Sequence, residues 1–305
     1  MSAAIAAVAP RRPTHAGSFY PADPAVLDRQ VAGLLAAARR ERSPDTPLPL
    51  GLLVPHAGLD WSGPVAARGW VELEAREREG EPSPGTAPLT VVLAGTNHFA
   101  RRPGGIAVWP GGLWRTPLGE IAIDEPLRAR ILALGEPFAP RAEPHLEEHS
   151  IEVEMPFVAR ASPDARLVPL LVGPLGADGC RAAGAALGRL LAAARSAGEP
   201  IVMAASTDLA HYPSRAVAEQ VDTESLDAIA ALDIERLARH EAIAEAGRVA
   251  GLDCALCGIE PALFTLAAMG AMGASRGTVL AHATSADAPG GDPRRVVGYA
   301  AVRFD

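Results

Sequence analysis

The chain has 305 residues, 49% of them hydrophobic, and a formal charge of −8, enough apolar side chain to bury a sizeable core. Lysine and arginine are scattered apart from short pairs such as Arg11-Arg12 and Arg294-Arg295, so there is no basic stripe for a phosphate backbone and no nucleic acid is expected as partner. No apolar run reaches the roughly 18 residues that span a bilayer, so no membrane is expected either; three cysteines make a poor disulfide framework and favour a reducing cytoplasm.

The first twelve residues lack the basic leading region of a signal peptide and read as a frayed terminus. Apolar periodicity then predicts a helix from Pro24 to Arg40, a strand from Leu50 to Val54 and a helix from Pro64 to Arg78. A Gly/Pro-rich surface loop over 79–88 leads to a strand from Leu89 to Ala94 and a helix from Glu125 to Leu134. Next come a strand from Leu167 to Val172, a helix from Ala177 to Ala197 and a strand from Ile201 to Ala205. Helices from Ser225 to Ala246 and from Pro261 to Met272 follow, then strands from Thr278 to Ala281 and from Val296 to Val302, separated by a loop over 283–294. Such alternation predicts an α/β fold, one domain over 1–305 with a central mixed sheet flanked by helices.

Three of these strands end on imidazole. The run LGLLVPHAG stops at His56, TVVLAGTNHF carries His98 just past its apolar core, and IVMAASTDLAHY carries Asp208 and His211. Ligand crevices in open α/β sheets form at the carboxyl ends of strands, so the three histidines are expected to share a site. Imidazole suits both metal binding and acid/base catalysis, and both stay open. A metal would need further ligands. Asp208, three residues before His211, offers a carboxylate, and the Cys254-Ala255-Leu256-Cys257 stretch offers thiols at the head of a helix, where backbone N–H groups favour thiolate. The stretch lacks the second pair of a structural zinc site and the context of a thioredoxin-like pair. Cys254 and Cys180 read as packing residues.

The segment EPHLEEHSIEVEMPF, 143–157, combines two histidines with several acids. It reads either as a charged helix start, with acids favoured at the positive end, or as a place from which Glu148 and His149 orient ligands. His15, in RPTHAGSFYP, precedes Ala-Gly as His56 does, and Phe19-Tyr20 supply rings that could wall a pocket. His240 and His282 lack such context and read as structural.

In chain order, Thr14-His15-Ala16-Gly17-Ser18-Phe19-Tyr20-Pro21, Val54-Pro55-His56-Ala57-Gly58, Thr96-Asn97-His98, Thr116-Pro117-Leu118, Glu147-Glu148-His149-Ser150-Ile151-Glu152, Ser206-Thr207-Asp208-Leu209-Ala210-His211 and Cys257-Gly258 with Pro261 resemble the Memo family. The bacterial and archaeal branch is called AmmeMemoRadiSam system protein B. The likeness runs from about residue 11 to the Val296-Val297-Gly298-Tyr299-Ala300 ending. Phe19 stands where many relatives have Trp, and Gly95-Thr96 where Gly-Pro often precedes Asn-His.

The resemblance implies a fold like that of class III extradiol dioxygenases, with iron or copper held by His56, His98 and Cys257 and the pocket lined by Asp208 and His211. It also implies association with radical-SAM and AMMECR1-like partners. Two imidazoles and a thiolate are softer than the two-histidine, one-carboxylate set of Fe(II) oxygenases, which shifts preference toward Cu or Zn without excluding Fe. The leading expectation is a metal-dependent redox enzyme, dioxygenase-like or an oxidase, with His211 as general acid/base oriented by Asp208 and with Phe19 and His149 contacting a small-molecule or peptide ligand. A second expectation is a binding adaptor that uses the same pocket without turnover. A third, a His-Cys nucleophilic hydrolase, needs Cys257 reactive and beside His211.

Overall fold

The computed structural model describes residues 9–43, 46–74, 87–99 and 104–305. Its strands are β1 (Gly51–Val54), β2 (Thr90–Thr96), β3 (Ile106–Val108), β4 (Leu113–Thr116), β5 (Gly119–Ile123), β6 (Phe138–Pro140), β7 (Arg166–Val172), β8 (Ile201–Ser206), β9 (Gly277–Thr284) and β10 (Gly298–Phe304). The helices are α1 (Pro24–Arg39), α2 (Leu59–Trp70), α3 (Glu125–Leu132), α4 (Met155–Ala161), α5 (Gly176–Ser196), α6 (Arg215–Ala230), α7 (Ile234–Glu245) and α8 (Ile259–Met272).

One sheet runs in the order β4-β5-β7-β2-β8-β1-β10-β9, with β3 and β6 attached beside β7. Its centre, β7-β2-β8-β1, is parallel, while β10 and β9 close one side antiparallel. The sheet is therefore mixed, as expected. Side chains alternate across a strand, and the central strands use both faces. Leu52, Val54, Val91, Leu93, Val202 and Ala204 pack toward α1, α2 and α4, whereas Leu53, Val92, Ala94, Met203 and Ala205 pack toward α5, α6, α7 and α8. A strand covered on both faces is apolar throughout, which is why these runs stand out in the sequence.

Local chemistry sets the helix limits. Asp23 caps α1 by accepting from Val26 N–H at 2.9 Å, and Pro24 occupies its first turn. Pro64 was expected to open a helix, but α2 starts at Leu59 and carries Pro64 inside, because Leu59 is itself buried under the sheet face. The single helix expected over 225–246 is two helices. Leu232 takes a left-handed backbone with φ 52°, and Asp233 caps α7 by accepting from Arg236 N–H at 2.9 Å. Residues 75–78 of the second expected helix and 79–86 of the expected loop lie outside the described residues.

Part of the expected frayed terminus is also corrected. Residues 1–8 lie outside the described residues, but Arg11 is 1% exposed, pairs with Trp114 on β4 and forms a buried ion pair with Glu152. An arginine cannot fray once its charge is committed to a buried carboxylate.

Candidate metal centre

β2, β8 and β1 are neighbours in the sheet, so their carboxyl ends deliver His98, the Asp208–His211 segment and His56 to one place. Cys257 arrives from the loop before α8. Its Sγ lies 3.2 Å from His56 Nε2 and accepts from the Asp208 N–H at 3.2 Å. The candidate ligand atoms of His56, His98 and Cys257 all fall within 4.8 Å of one another. Two overlapping groups, His98–Glu148–His149 and Asp208–His211–Cys257, meet the same limit.

The hydrogen bonds behind the imidazoles decide which nitrogen faces the pocket. Val54 is paired with Ser206 at the end of β8, which puts the Ser206 hydroxyl 2.8 Å from His56 Nδ1. That hydroxyl donates to the Ser150 carbonyl at 2.5 Å. It has only one proton, so toward His56 it accepts; Nδ1 carries hydrogen and Nε2 presents a bare lone pair toward Cys257. His98 is set in the same way. Its Nδ1 lies 2.8 Å from Glu148 Oε1 and its own N–H donates to Glu148 Oε2 at 2.5 Å, leaving Nε2 outward. This carboxylate–imidazole pairing orients many metal-ligating histidines.

Burial tunes the charges. The His56 imidazole is held well below its usual pKa by burial, reinforced by His149, His98 and His211. His149 is lowered by burial to about 4. Burial raises the Cys257 thiol well above its usual value and also raises the Asp208 carboxyl. Two imidazoles and a thiol that loses its proton to a cation form a donor set that fits a soft or borderline metal ion.

Glu148, Glu152 and Glu154 do not form a solvated helix start. They are 1%, 1% and 0% exposed, and each anchors something. Burial pushes the Glu148 carboxyl up, but His98 and the Ser150 N–H outweigh it and the pKa is lowered. Glu152 accepts from Tyr20 OH at 2.5 Å and His15 N–H at 2.8 Å besides pairing with Arg11, which staples the THAGSFYP motif over the sheet. Phe19 and His15 consequently surround His149, with ring centroids at 4.5 and 5.6 Å. His98 stacks on the other side of His149 at 4.4 Å. Gly95 permits this closure: a Cβ there would lie 2.5 Å from Ser150 Oγ.

One expected pairing is corrected. Asp208 does not orient His211: His211 Nδ1 is 2.9 Å from the Leu209 carbonyl, which fixes Nδ1–H, while Asp208 Oδ1 accepts from the N–H groups of His56 and Ala57 at 2.8 and 3.3 Å. A backbone carbonyl two residues away is the nearer acceptor, and the carboxylate is turned to the two unpaired amides past β1. The nucleophile reading is disfavoured by the thiol, which burial raises; the imidazole in direct contact with Cys257 is His56, with His211 within 4.8 Å. His282 is 2.8 Å from buried Asp222, and His240 bonds the Val221 carbonyl. Sequence reasoning missed Ser206, Glu154 and Arg11 as supports. A hydroxyl closing an otherwise apolar strand was the one signal for Ser206.

A mixed sheet whose adjacent parallel strands end on imidazoles and a carboxylate, met by a thiol from a neighbouring loop, defines a class of α/β proteins with a histidine–cysteine centre. The chain belongs to the Memo-like protein family, whose sequence pattern matches residues 11–303. It is 34% identical over 306 residues to a MEMO1 family protein of Methanopyrus kandleri, covering 96% of this chain and 98% of the relative. A MEMO1 family protein of Methanothermobacter thermautotrophicus is 33% identical over 298 residues, covering 95% and 98%. Among solved structures, an uncharacterized protein from Escherichia coli K12, JW3007, shares the fold with a TM-score of 0.50 and 17% identity over 84% of this chain and 99% of that one. No helix among the described residues is long and apolar enough to cross a membrane.

Proposed function

We propose that this protein is a metal-dependent redox enzyme, dioxygenase-like or an oxidase, in which His56, His98 and Cys257 hold one iron or copper ion. The observation that carries the reading is a pair of imidazoles each held from behind at Nδ1, with His56 Nε2 against the Cys257 thiol and His98 in the same group of ligand atoms. A bound iron or copper ion supplies one-electron redox chemistry. The chain's own residues then bind and protonate. His211, fixed by the Leu209 carbonyl, offers Nε2 as general acid/base at the pocket wall. Phe19 and His149, whose rings lie together, contact a small-molecule or peptide ligand beside the ion. Radical-SAM and AMMECR1-like proteins are the partners we propose. The cytoplasm is the compartment, in keeping with the free thiols of Cys180, Cys254 and Cys257.

The test is metal content of anaerobically purified protein, by elemental analysis and electron paramagnetic resonance, against Cys257→Ala. Near-stoichiometric iron or copper that disappears in the variant is the expected result. A pocket that also refuses added Fe(II) and copper overturns it and favours a ligand-binding adaptor, for which the ring cluster around His149 is the supporting observation.

A further inference from the structure

The loop that carries Cys257 supplies the one proposed metal ligand that does not come from a strand end. Besides the Asp208 N–H on Cys257 Sγ, four bonds tie the loop to the end of β8. His211 N–H donates to the Cys254 carbonyl and Asp253 N–H to the His211 carbonyl, both at 3.0 Å. Cys257 N–H donates to the Asp208 carbonyl at 3.4 Å, and Gly258 N–H to Thr207 Oγ1 at 3.0 Å. These bonds leave the amides of Ala255 and Leu256 to other partners. Both residues are buried, at 0% and 2% exposure, where an unpaired N–H is costly. The two amides converge on one oxygen, Glu241 Oε2, at 3.0 and 2.9 Å. Glu241 projects from α7, a helix that contributes nothing else to the pocket chemistry, and is 4% exposed. Around it stand Glu245 on the same helix, Glu260 on α8 and Cys254 on the loop. Burial lifts the Glu241 carboxyl to about 7.

We propose that Glu241 is a positioning residue for Cys257: by gathering the two amides that precede it, Glu241 fixes the place where Cys257 Sγ meets His56 Nε2. A carboxylate accepting two successive N–H groups determines the path of the chain between them. Cys257 is the next residue, so its Cα has little freedom left. The consequence for metal binding rests on the function proposed above; the positioning itself exists in the metal-free protein.

The experiment uses the full chain with Glu241→Leu, Glu241→Asp and Glu241→Gln, and reads two things. The first is the rate of Cys257 alkylation by iodoacetamide in metal-free protein, resolved by peptide mass spectrometry with buried Cys180 as internal control. Glu241→Leu and Glu241→Asp are expected to speed it by ~10-fold as the loop loosens, while Glu241→Gln, whose amide oxygen still accepts both bonds, stays near wild type. The second is affinity for Co(II), whose thiolate charge-transfer band reports the bond to Cys257. Glu241→Leu should weaken it by ~10- to 100-fold, and in a Cys257→Ala background the same substitution should add nothing. An unchanged alkylation rate in both Glu241→Leu and Glu241→Asp overturns the proposal, as does an affinity loss that persists without Cys257. Should Glu241→Leu fail to fold, Glu241→Asp against Glu241→Gln decides. Wild-type protein that binds no Co(II) counts against the metal reading alone, and the alkylation rates still decide the positioning.

Discussion

Ser206 has one hydroxyl proton and three neighbours that want something from it. The Ser150 carbonyl takes the proton, His56 Nδ1–H takes a lone pair, and Glu154 Oε1 lies 3.3 Å away. Glu154 in turn accepts from Trp70 Nε1–H at 2.6 Å, and burial raises its pKa to about 8, so near neutrality it is an acid that can donate to Ser206. Replacing Ser206 with Ala removes the acceptor for His56 Nδ1–H; the ring should turn over to the Nε2–H tautomer, with Cys257 Sγ as acceptor, and metal affinity should fall by ~10- to 100-fold. Nitrogen-15 shifts of His56 in metal-free protein and a chelator competition would read the two effects. Unchanged shifts would show that Ser206 does not set the tautomer. Glu154 gives a pH prediction. Its folded pKa is raised from 4.5 to about 8, so the folded state holds a proton the unfolded chain has lost, and stability falls as pH rises between those values. Glu154→Gln keeps a neutral, hydrogen-bonding group and should gain on wild type steadily from pH 5 to pH 8 in urea unfolding. A constant difference across that range would argue against a buried neutral acid.

At the scale of elements, the placing of Cys257 depends on α8, and α8 depends on α5. The two helices cross where Gly184 and Gly188 face α8; a Cβ on either would lie 2.2 Å from the carbonyl oxygen of Phe264 or Ala268. Backbone cannot yield as a side-chain tip can, so the helices must part. Gly184→Ala is expected to cost about 1–3 kcal/mol of stability despite alanine's better helix propensity, and chemical denaturation with a midpoint at or above wild type would refute it. The elements themselves were unequally legible. Central strands buried on both faces announced themselves as continuous apolar runs, whereas β3 and β6, of 3 residues each, are too short for a period to register, and β4 and β5 mix exposed with buried residues. The α6–α7 break was hidden because the left-handed turn falls on Leu232, a residue with no turn signature.

Across the whole molecule, Arg11 ties the start of the described chain to the centre. It reaches Glu152, the carbonyls of His145 and Glu148, and the ring of Trp114, whose centroid is 4.8 Å from its guanidinium carbon. Burial pushes Glu152 up, and Arg11 with the bonds from Tyr20 and His15 outweighs it, leaving that carboxyl below its usual range. Arg11→Ala would strand Glu152 inside the protein and should cost about 3–5 kcal/mol, with loosening of Phe19 and His15 around His149. Urea unfolding measures the first and ring-resolved NMR the second. A loss under about 1 kcal/mol, the level of a surface pair, would mean the pair is not buried in solution.

The sequence by itself determined the α/β architecture, the continuous apolar runs of the central strands and the placing of His56, His98 and His211 at strand ends, because double-sided burial and strand polarity are written in local order. Membership of the family was legible in the ordered motifs, and the acids around His149 pointed to Glu148 as an orienter of ligands without showing that His98 is the one it holds. Only the tertiary structure decided which partner each polar group takes. Asp208 serves the amides of His56 and Ala57 and leaves His211 to Leu209; Glu152 serves Arg11; Glu241 serves the Cys257 loop from another helix. A buried side-chain hydrogen bond is a matter of ångströms between segments as far as 231 positions apart in the chain, and no local pattern encodes that distance.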